Sequence, residues 1–279
     1  MSSEAPAQPP MMVSEHHPLP VELHPNIDAI VTEDGTPVDN QFSEKQQRLL
    51  AEALYCSWQP DEPFVAMSNV GLFFAIRTAP FVPDVLVSLG VSSPADPFPK
   101  RNRSYFLWEY GKAPDLVVEI VSNVEGGEDT IKLQGYAKIG ITYYIIYDPE
   151  LHLSLKPLRV YRLASGRYEL DESKSPVFAS LGLGVQIWQG TYEDMPQSWL
   201  RWTTAGGQLL PTGKELAFVE KQRADLEKQR ADLEKQLAEE EKQRANEEKR
   251  RADEEKGRAD DAEREVEQLR AKLQQLGNE

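Results

Sequence analysis

Three side chains in this sequence have the types and setting for chemistry: Asp84, Glu119 and Lys132. Glu119 lies inside the apolar run Leu116-Val117-Val118-Glu119-Ile120-Val121. A carboxylate in such a strand costs several kcal/mol unless something compensates it. A divalent cation or a nearby lysine would compensate it, and the two together are the ingredients of a hydrolytic centre. Glu119 shares its strand face with Val117 and Val121, while Leu116, Val118 and Ile120 point the other way. Both faces are apolar, so the strand is covered on both sides. Burial there raises the carboxyl pKa, and a bound cation reverses that sign.

A second carboxylate comes from one of two Pro-Asp dipeptides, Pro83-Asp84 or Pro114-Asp115. Asp115 is on the face of Glu119 but four residues away, about 13 Å along a strand and too far to share one ion. Asp84 belongs to a different strand and can meet Glu119 across a sheet, so the pair is Asp84 and Glu119, with Asp115 shaping the strand start. The backbone carbonyl of Ile120 is a candidate third oxygen. Mg²⁺ (or Mn²⁺) suits one or two carboxylates with retained waters. Lys132 falls in the first turn of the following helix, where the helix dipole disfavours a cation. From there it can reach back toward Glu119, orient a water, or neutralise charge on a pentavalent phosphate. Structural alternatives stand beside each assignment: a purely structural ion pair for Glu119, a surface lysine for Lys132, and core packing for Tyr136, which shares the Lys132 helix face. The four histidines (His16, His17, His24, His152) form no catalytic pattern, and no phosphate-binding loop, nucleophile elbow or zinc spacing is present.

These residues need a scaffold. Residues 21–42 read as extended, with a turn at Glu33–Pro37. Ser43 with Gln46 fits a capping box, and Leu49, Leu50, Ala53 and Leu54 form an apolar stripe, predicting a helix near 44–57. Short β-type runs follow at Phe64–Met67 and Gly71–Ile76, then a strand, Val82–Leu89, carrying Asp84. Tyr105–Tyr110 reads as a short aromatic turn or helix. A βαβ unit comes next: strand Leu116–Val121, a helix from about Thr130 to Ile139 capped by Asp129 and stopped by Gly140, and strand Tyr143–Tyr147. The long connection makes that strand pair parallel. Leu158–Leu163 and Tyr168–Leu170 form a hairpin, and Val185–Trp188 is the last short strand. The fold class is therefore α/β, with four segments: a disordered leader (1–20), the folded domain (21–190), a linker or exit segment (191–213) and a charged helix (214–279).

That last segment is a heptad array in which Glu-Lys-Gln-Arg-Ala-Asp-Leu occurs at 220–226 and 227–233. Ala259, Ala262, Val266, Leu269, Leu273 and Leu276 alternate three and four apart, the spacing of a coiled-coil seam. Leu216, Val219, Leu226, Leu233 and Leu237 make a second seam in another register. Glu240–Arg244, Glu247–Arg251 and Glu254–Arg258 are spaced to pair along the helix. Two readings stand: a solvated charged helix, or a self-association stalk that makes the protein a homo-oligomer through 214–279.

Composition bounds the rest. The net charge is −15, which is not the usual footprint of a nucleic-acid binder. The one basic cluster, Lys100-Arg101-Asn102-Arg103, reads as a solvated loop or as a phosphate contact. The single cysteine, Cys56, excludes an internal disulfide and is expected as a packed core thiol. The lack of a cysteine framework or secretory pattern points to the cytoplasm, and no apolar run reaches the roughly 20 residues of a membrane span.

Taken in order, several of these segments resemble one family. They are Val82-Pro83-Asp84-Val85, Pro114-Asp115-Leu116-Val117-Val118-Glu119-Ile120-Val121-Ser122, Asp129-Thr130-Ile131-Lys132-Leu133, Tyr136-Ala137, Gly140-Ile141 and Tyr143-Tyr144-Ile145-Ile146-Tyr147-Asp148-Pro149, with Asp34-Gly35 and Val38-Asp39-Asn40 upstream. Across roughly 25–190 the sequence resembles the Uma-type putative restriction endonuclease family, a branch of the PD-(D/E)XK nuclease superfamily. The resemblance implies a restriction-endonuclease-like mixed sheet flanked by helices, and Mg²⁺-dependent hydrolysis of phosphodiester bonds in DNA. It matches Asp84 and Glu119 to the metal carboxylates. The superfamily's lysine normally stands two residues after the glutamate, where this chain has Val121; Lys132, on the helix, matches it instead. The alternative is a catalytically impaired protein of nuclease fold that works as an interaction module through its coiled coil.

Overall fold

The computed structural model describes residues 20–26, 40–123 and 126–276, with side chains through 270. The expected leader apart from Pro20, the turn at Glu33–Pro37, the upstream segments Asp34-Gly35 and Val38-Asp39, His16 and His17 lie outside the described residues, as do the side chains of Leu273 and Leu276.

The first helix, α1, spans Gln41–Ser57 and begins three residues earlier than the sequence suggests. Asn40 is the N-cap: its Oδ1 accepts the Ser43 N–H at 2.8 Å. Ser43 and Gln46 are not a capping box but part of the buried face. Cys56 is exposed rather than packed, because it sits just outside the arc defined by Gln46, Leu50, Ala53 and Leu54. Then follow β1 (Phe64–Ser68), β2 (Leu72–Phe73), β3 (Val85–Leu89), β4 (Tyr105–Phe106), α2 (Leu107–Tyr110), β5 (Leu116–Ile120), α3 (Leu133–Ile139), β6 (Tyr143–Tyr147), β7 (Leu158–Ala164), β8 (Arg167–Asp171), β9 (Val177–Phe178), β10 (Leu183–Tyr192), β11 (Met195–Thr204) and α4 (Gly213–Leu276).

The main sheet has six strands in the order β1-β3-β5-β6-β7-β8. It is mixed: β5 and β6 are parallel, and every other neighbouring pair is antiparallel. The β5–α3–β6 crossover and the β7–β8 hairpin through Ser165-Gly166 are where the sequence places them. One face of the sheet, with Val85, Val87, Leu116, Val118 and Ile145, packs on α1 and on Phe178, Leu183, Leu200 and Trp202. The opposite face, with Leu86, Val117, Tyr144 and Ile146, packs on Tyr136 of α3 and on Tyr105. Burial on both sides explains why β5 and β6 read as continuous apolar runs.

Residues 191–213 are not a linker. β10 runs ten residues rather than four and pairs along its whole length with β11; β9, β10 and β11 form a second sheet. Gln46 fastens β11 to α1, donating to the Leu200 carbonyl at 2.9 Å and accepting the Leu200 N–H at 2.8 Å. Trp202 donates its indole N–H to the Leu50 carbonyl at 2.9 Å.

The chain divides into two compact units, Met1–Glu215 and Leu216–Glu279. The second is helical throughout its described length, with Leu216, Val219, Leu226, Leu233, Leu237, Val266 and Leu269 exposed. Two of the expected pairs form, Arg244–Glu240 at 3.9 Å and Arg251–Glu247 at 3.0 Å. Glu254 pairs with Arg250, at 3.7 Å, instead of Arg258. Among the described residues no helix is long and apolar enough to cross a membrane.

Candidate active site

The site lies at one end of the main sheet, where β3, β5 and the start of the crossover helix meet. Val85 is opposite Val118 in the antiparallel β3–β5 register. β3 is shorter than the expected Val82–Leu89, and Asp84 is the residue just before it; continuing the register by one step brings Asp84 level with Glu119. Asp84 is held on both oxygens: Gln47 of α1 donates its Nε2–H to Oδ1 at 2.6 Å, and the Ile120 backbone N–H donates to Oδ2 at 2.6 Å. Glu119 is fully buried and likewise held on both oxygens. Tyr136 donates its hydroxyl to Oε1 at 2.5 Å, and Lys132 donates from Nζ to Oε2 at 2.9 Å. Lys132 also reaches Glu128 Oε1 at 3.0 Å, so one ammonium bridges two carboxylates.

Local backbone chemistry explains how Lys132 gets there. Gly127 adopts φ +70, a left-handed conformation that glycine takes without steric penalty. The next five residues, Glu128–Lys132, form one π-helical turn before α3, and the Lys132 N–H bonds the Gly127 carbonyl at 3.0 Å. Such wide turns are single-residue bulges in a helix and recur at functional sites. Asp129 therefore is not the helix cap; it lies within the wide turn and pairs with Arg159 at 3.6 Å. Tyr144 anchors the turn from below, donating its hydroxyl to the Glu128 carbonyl at 2.9 Å. Gly135 lets α3 approach closely: a Cβ there would come within 2.1 Å of the Phe81 ring. Gly140 ends α3 in a left-handed conformation, at the position expected.

The electrostatics follow from burial. The Glu119 carboxyl is pushed up to about 8, by desolvation first and by the charge of Asp84, against the opposing pull of Lys132 and Tyr136. Burial alone would lower the Lys132 ammonium, but Glu119 and Glu128 outweigh it and hold it above its ordinary value, so it stays protonated. The Tyr136 hydroxyl is raised strongly by burial and by Glu119, which keeps it a donor. Glu119 and Glu128 thus share one lysine.

The structure brings together Asp84, Glu119, the Ile120 backbone and Lys132. Asp115 stands apart, as anticipated: its Oδ2 accepts the Leu89 N–H at 2.8 Å and the Lys112 ammonium at 2.6 Å. Asp148 is fully buried and organises the loop after β6, accepting the N–H groups of His152 and Leu153 at 2.8 Å each. Sequence reasoning missed three members of the site. Gln47 carried no signal, being one polar residue on an amphipathic helix. Glu128 and Tyr136 stand four residues on either side of Lys132, a spacing that puts them on one helix face. Tyr136 is both core and site: it is fully buried and it holds Glu119.

A family model described as Uma2, putative restriction endonuclease, matches residues 27–209. A crystal structure described as a putative nuclease belonging to DUF820 from Anabaena variabilis is similar at 18% identity and a TM-score of 0.36, covering 52% of this chain and 76% of that one. No curated protein matches.

Proposed function

The chain belongs to the Uma2 family of putative restriction endonucleases, and from that membership and the site geometry we propose that it is a Mg²⁺- or Mn²⁺-dependent endonuclease acting on DNA. The observation that carries this reading is the convergence of Asp84, Glu119 and Lys132 at one end of a buried sheet.

The donor set fits a hard divalent ion. Each oxygen of Glu119 accepts a hydrogen bond, and a carboxylate oxygen has a second lone pair to give. A dication bound beside Glu119 would reverse the rise that burial gives its carboxyl and hold it ionised. Among the described residues no group of three or more His, Cys, Asp or Glu side chains could hold a metal, so an ion here would rest on fewer protein carboxylates and on waters. Asp84, Glu119 and the Ile120 carbonyl would hold it. When bound, such an ion polarises a phosphoryl oxygen and makes a coordinated water more acidic. The chain's own groups do the rest. Gln47 and the Ile120 N–H fix Asp84, and Tyr136 fixes Glu119. Lys132 keeps its proton and presents positive charge where a phosphoryl group gains negative charge, a contribution worth about 10²–10³ in rate for a well-placed donor.

A cleavage assay on plasmid and single-stranded DNA with Mg²⁺ or Mn²⁺ tests the reading, with Asp84→Asn and Glu119→Gln proteins run alongside. The expected result is cleavage by the wild-type chain, lost on chelation, and at least about 100-fold slower in either variant. Equal cleavage by all three proteins would remove both carboxylates from the mechanism.

The net charge of −15 and the occupation of Lys132 by two carboxylates favour one second reading, an interaction protein of nuclease fold with impaired catalysis. Calorimetric titration with Mn²⁺ separates the two, because that protein has no need of an ion between Asp84 and Glu119. In both readings the exposed apolar positions of α4 pair with a second copy of the chain.

A further inference from the structure

Arg159 lies on β7 in direct register with the site. Glu119 faces Ile146 across the β5–β6 pair, and Ile146 faces Arg159 across the β6–β7 pair. Residues opposite one another on neighbouring strands share a face. Arg159 therefore stands on the Glu119 face two strands away, about 10 Å at ~4.8 Å per strand. Its side chain is only 10% exposed. The one ion pair it makes is loose, from Nη1 to Asp129 at 3.6 Å, and its Nε and Nη2 are buried with no hydrogen-bond partner among the described residues. Leaving charged donors buried and unpaired is costly, and a native fold seldom keeps them so without use. Nε and Nη2 form the side edge of the guanidinium, two parallel donors that match two oxygens of a phosphate.

We propose that Arg159 is a substrate-positioning residue whose Nε–Nη2 edge grips a phosphate next to the scissile one, with Asp129, paired at Nη1, drawing on the same charge until the nucleic acid arrives. This rests on the nuclease reading above and names how that site holds its substrate. Lys132 is taken up by Glu119 and Glu128, so the positive charge that holds the backbone has to come from elsewhere. The Asp129 carboxylate pairs at Nη1, away from the Nε–Nη2 edge, and is 34% exposed, so it can withdraw into solvent and leave the guanidinium charge to an incoming phosphate. Because Asp129 and Lys132 belong to the same π-helical turn, filling the Arg159 site bears directly on the segment that carries the lysine.

The test is equilibrium binding of labelled duplex and single-stranded oligonucleotides across a range of salt. The full chain carries Glu119→Gln throughout to prevent cleavage, alone or with Arg159→Gln, Arg159→Lys or Asp129→Asn. Arg159→Gln should weaken binding at least tenfold and reduce the slope of log K against log salt by about 0.9 on duplex DNA, the loss of one phosphate contact. Arg159→Lys should keep the slope and recover only part of the affinity. Asp129→Asn should tighten binding, the reverse of what a structural ion pair predicts. In a parallel arm, inorganic phosphate should raise the unfolding midpoint of the wild-type chain and leave that of Arg159→Gln unmoved. Unchanged affinity and slope in Arg159→Gln, with nucleic-acid binding intact in the parent, overturn the proposal and leave the nuclease reading standing. Phosphate stabilisation that depends on Arg159, in a chain that binds no oligonucleotide, overturns the nuclease reading and supports an anion site for another phosphate carrier. If Arg159→Gln fails to fold, Asp129→Asn decides, and no gain in affinity sinks the proposal.

Discussion

Glu119 ionises against its surroundings, because it is buried and stands beside Asp84. A carboxyl raised to about 8 in the folded chain from its ordinary 4.5 binds its proton more tightly folded than unfolded. Stability without metal therefore falls as pH rises through that window and levels off above it. Relative to Glu119→Gln, the wild-type chain should lose up to about 1.4 kcal/mol per pH unit between those limits, measured by urea unfolding at a series of pH values. A difference that grows in the opposite direction would mean that Lys132, not burial, governs Glu119. Lys132→Ala leaves two buried carboxylates without a cation and should cost about 3–5 kcal/mol, read as a lower urea midpoint. Loss of activity in that variant mixes catalysis with folding, so the isosteric Glu119→Gln is the cleaner probe. At this scale the sequence was legible where chemistry conflicted with its setting. Glu119 in an apolar strand and Lys132 at a helix N-terminus both violate local preference. Gln47 violates nothing, and only its contact with Asp84 reveals it.

At the scale of elements, α3 is the part on which the site depends, since it carries Lys132 at its start and Tyr136 on its buried face. Its closeness to Phe81 is possible only because residue 135 has no side chain. Gly135→Ala should cost about 1–3 kcal/mol by overpacking and should lower any cleavage activity further than its stability loss explains, as the helix is pushed from Glu119. Unchanged activity in a destabilised Gly135→Ala chain would show that the helix can shift without consequence. The βαβ unit was readable because its strands are apolar on both faces and its helix has a glycine stop. The β10–β11 hairpin was not, for identifiable reasons. Its turn uses Glu193 and Asp194 at φ 44 and 64, positions where glycine or asparagine would have announced it. β11 also contains Pro196, which reads as a strand breaker.

For the whole molecule, the boundary between the two units lies inside α4, not before it. Arg201 is nearly inaccessible on β11 and takes its counter-charge from the first turn of that helix, donating to both Glu215 oxygens at 2.8 and 2.6 Å. A chain ending at Glu215 should fold as the full chain does. One ending at Thr212 should lose about 3–5 kcal/mol, because a buried guanidinium is left alone; equal thermal midpoints for the two truncations would contradict this. The chain ending at Glu215 should also show fewer copies per particle by light scattering if α4 joins subunits. Heptad spacing made α4 visible in the sequence at once. Its tie to β11 was invisible there, because Arg201 and Glu215 lie in segments whose folding together no periodicity reports.

The wide turn at Glu128–Lys132 carries a consequence for how this family of chains can change length. A π-helical turn holds one residue more than an ordinary one, so removing a single residue there would allow a regular α-helical start with no loss of backbone bonding. Everything upstream of the deletion would then be rotated by about 100° relative to α3, so Glu128 would swing away from Lys132 while the lysine stayed with the helix that follows it. The count of residues between Gly127 and Leu133, more than their identities, thus decides whether the ammonium beside the sheet's buried acid keeps its second carboxylate.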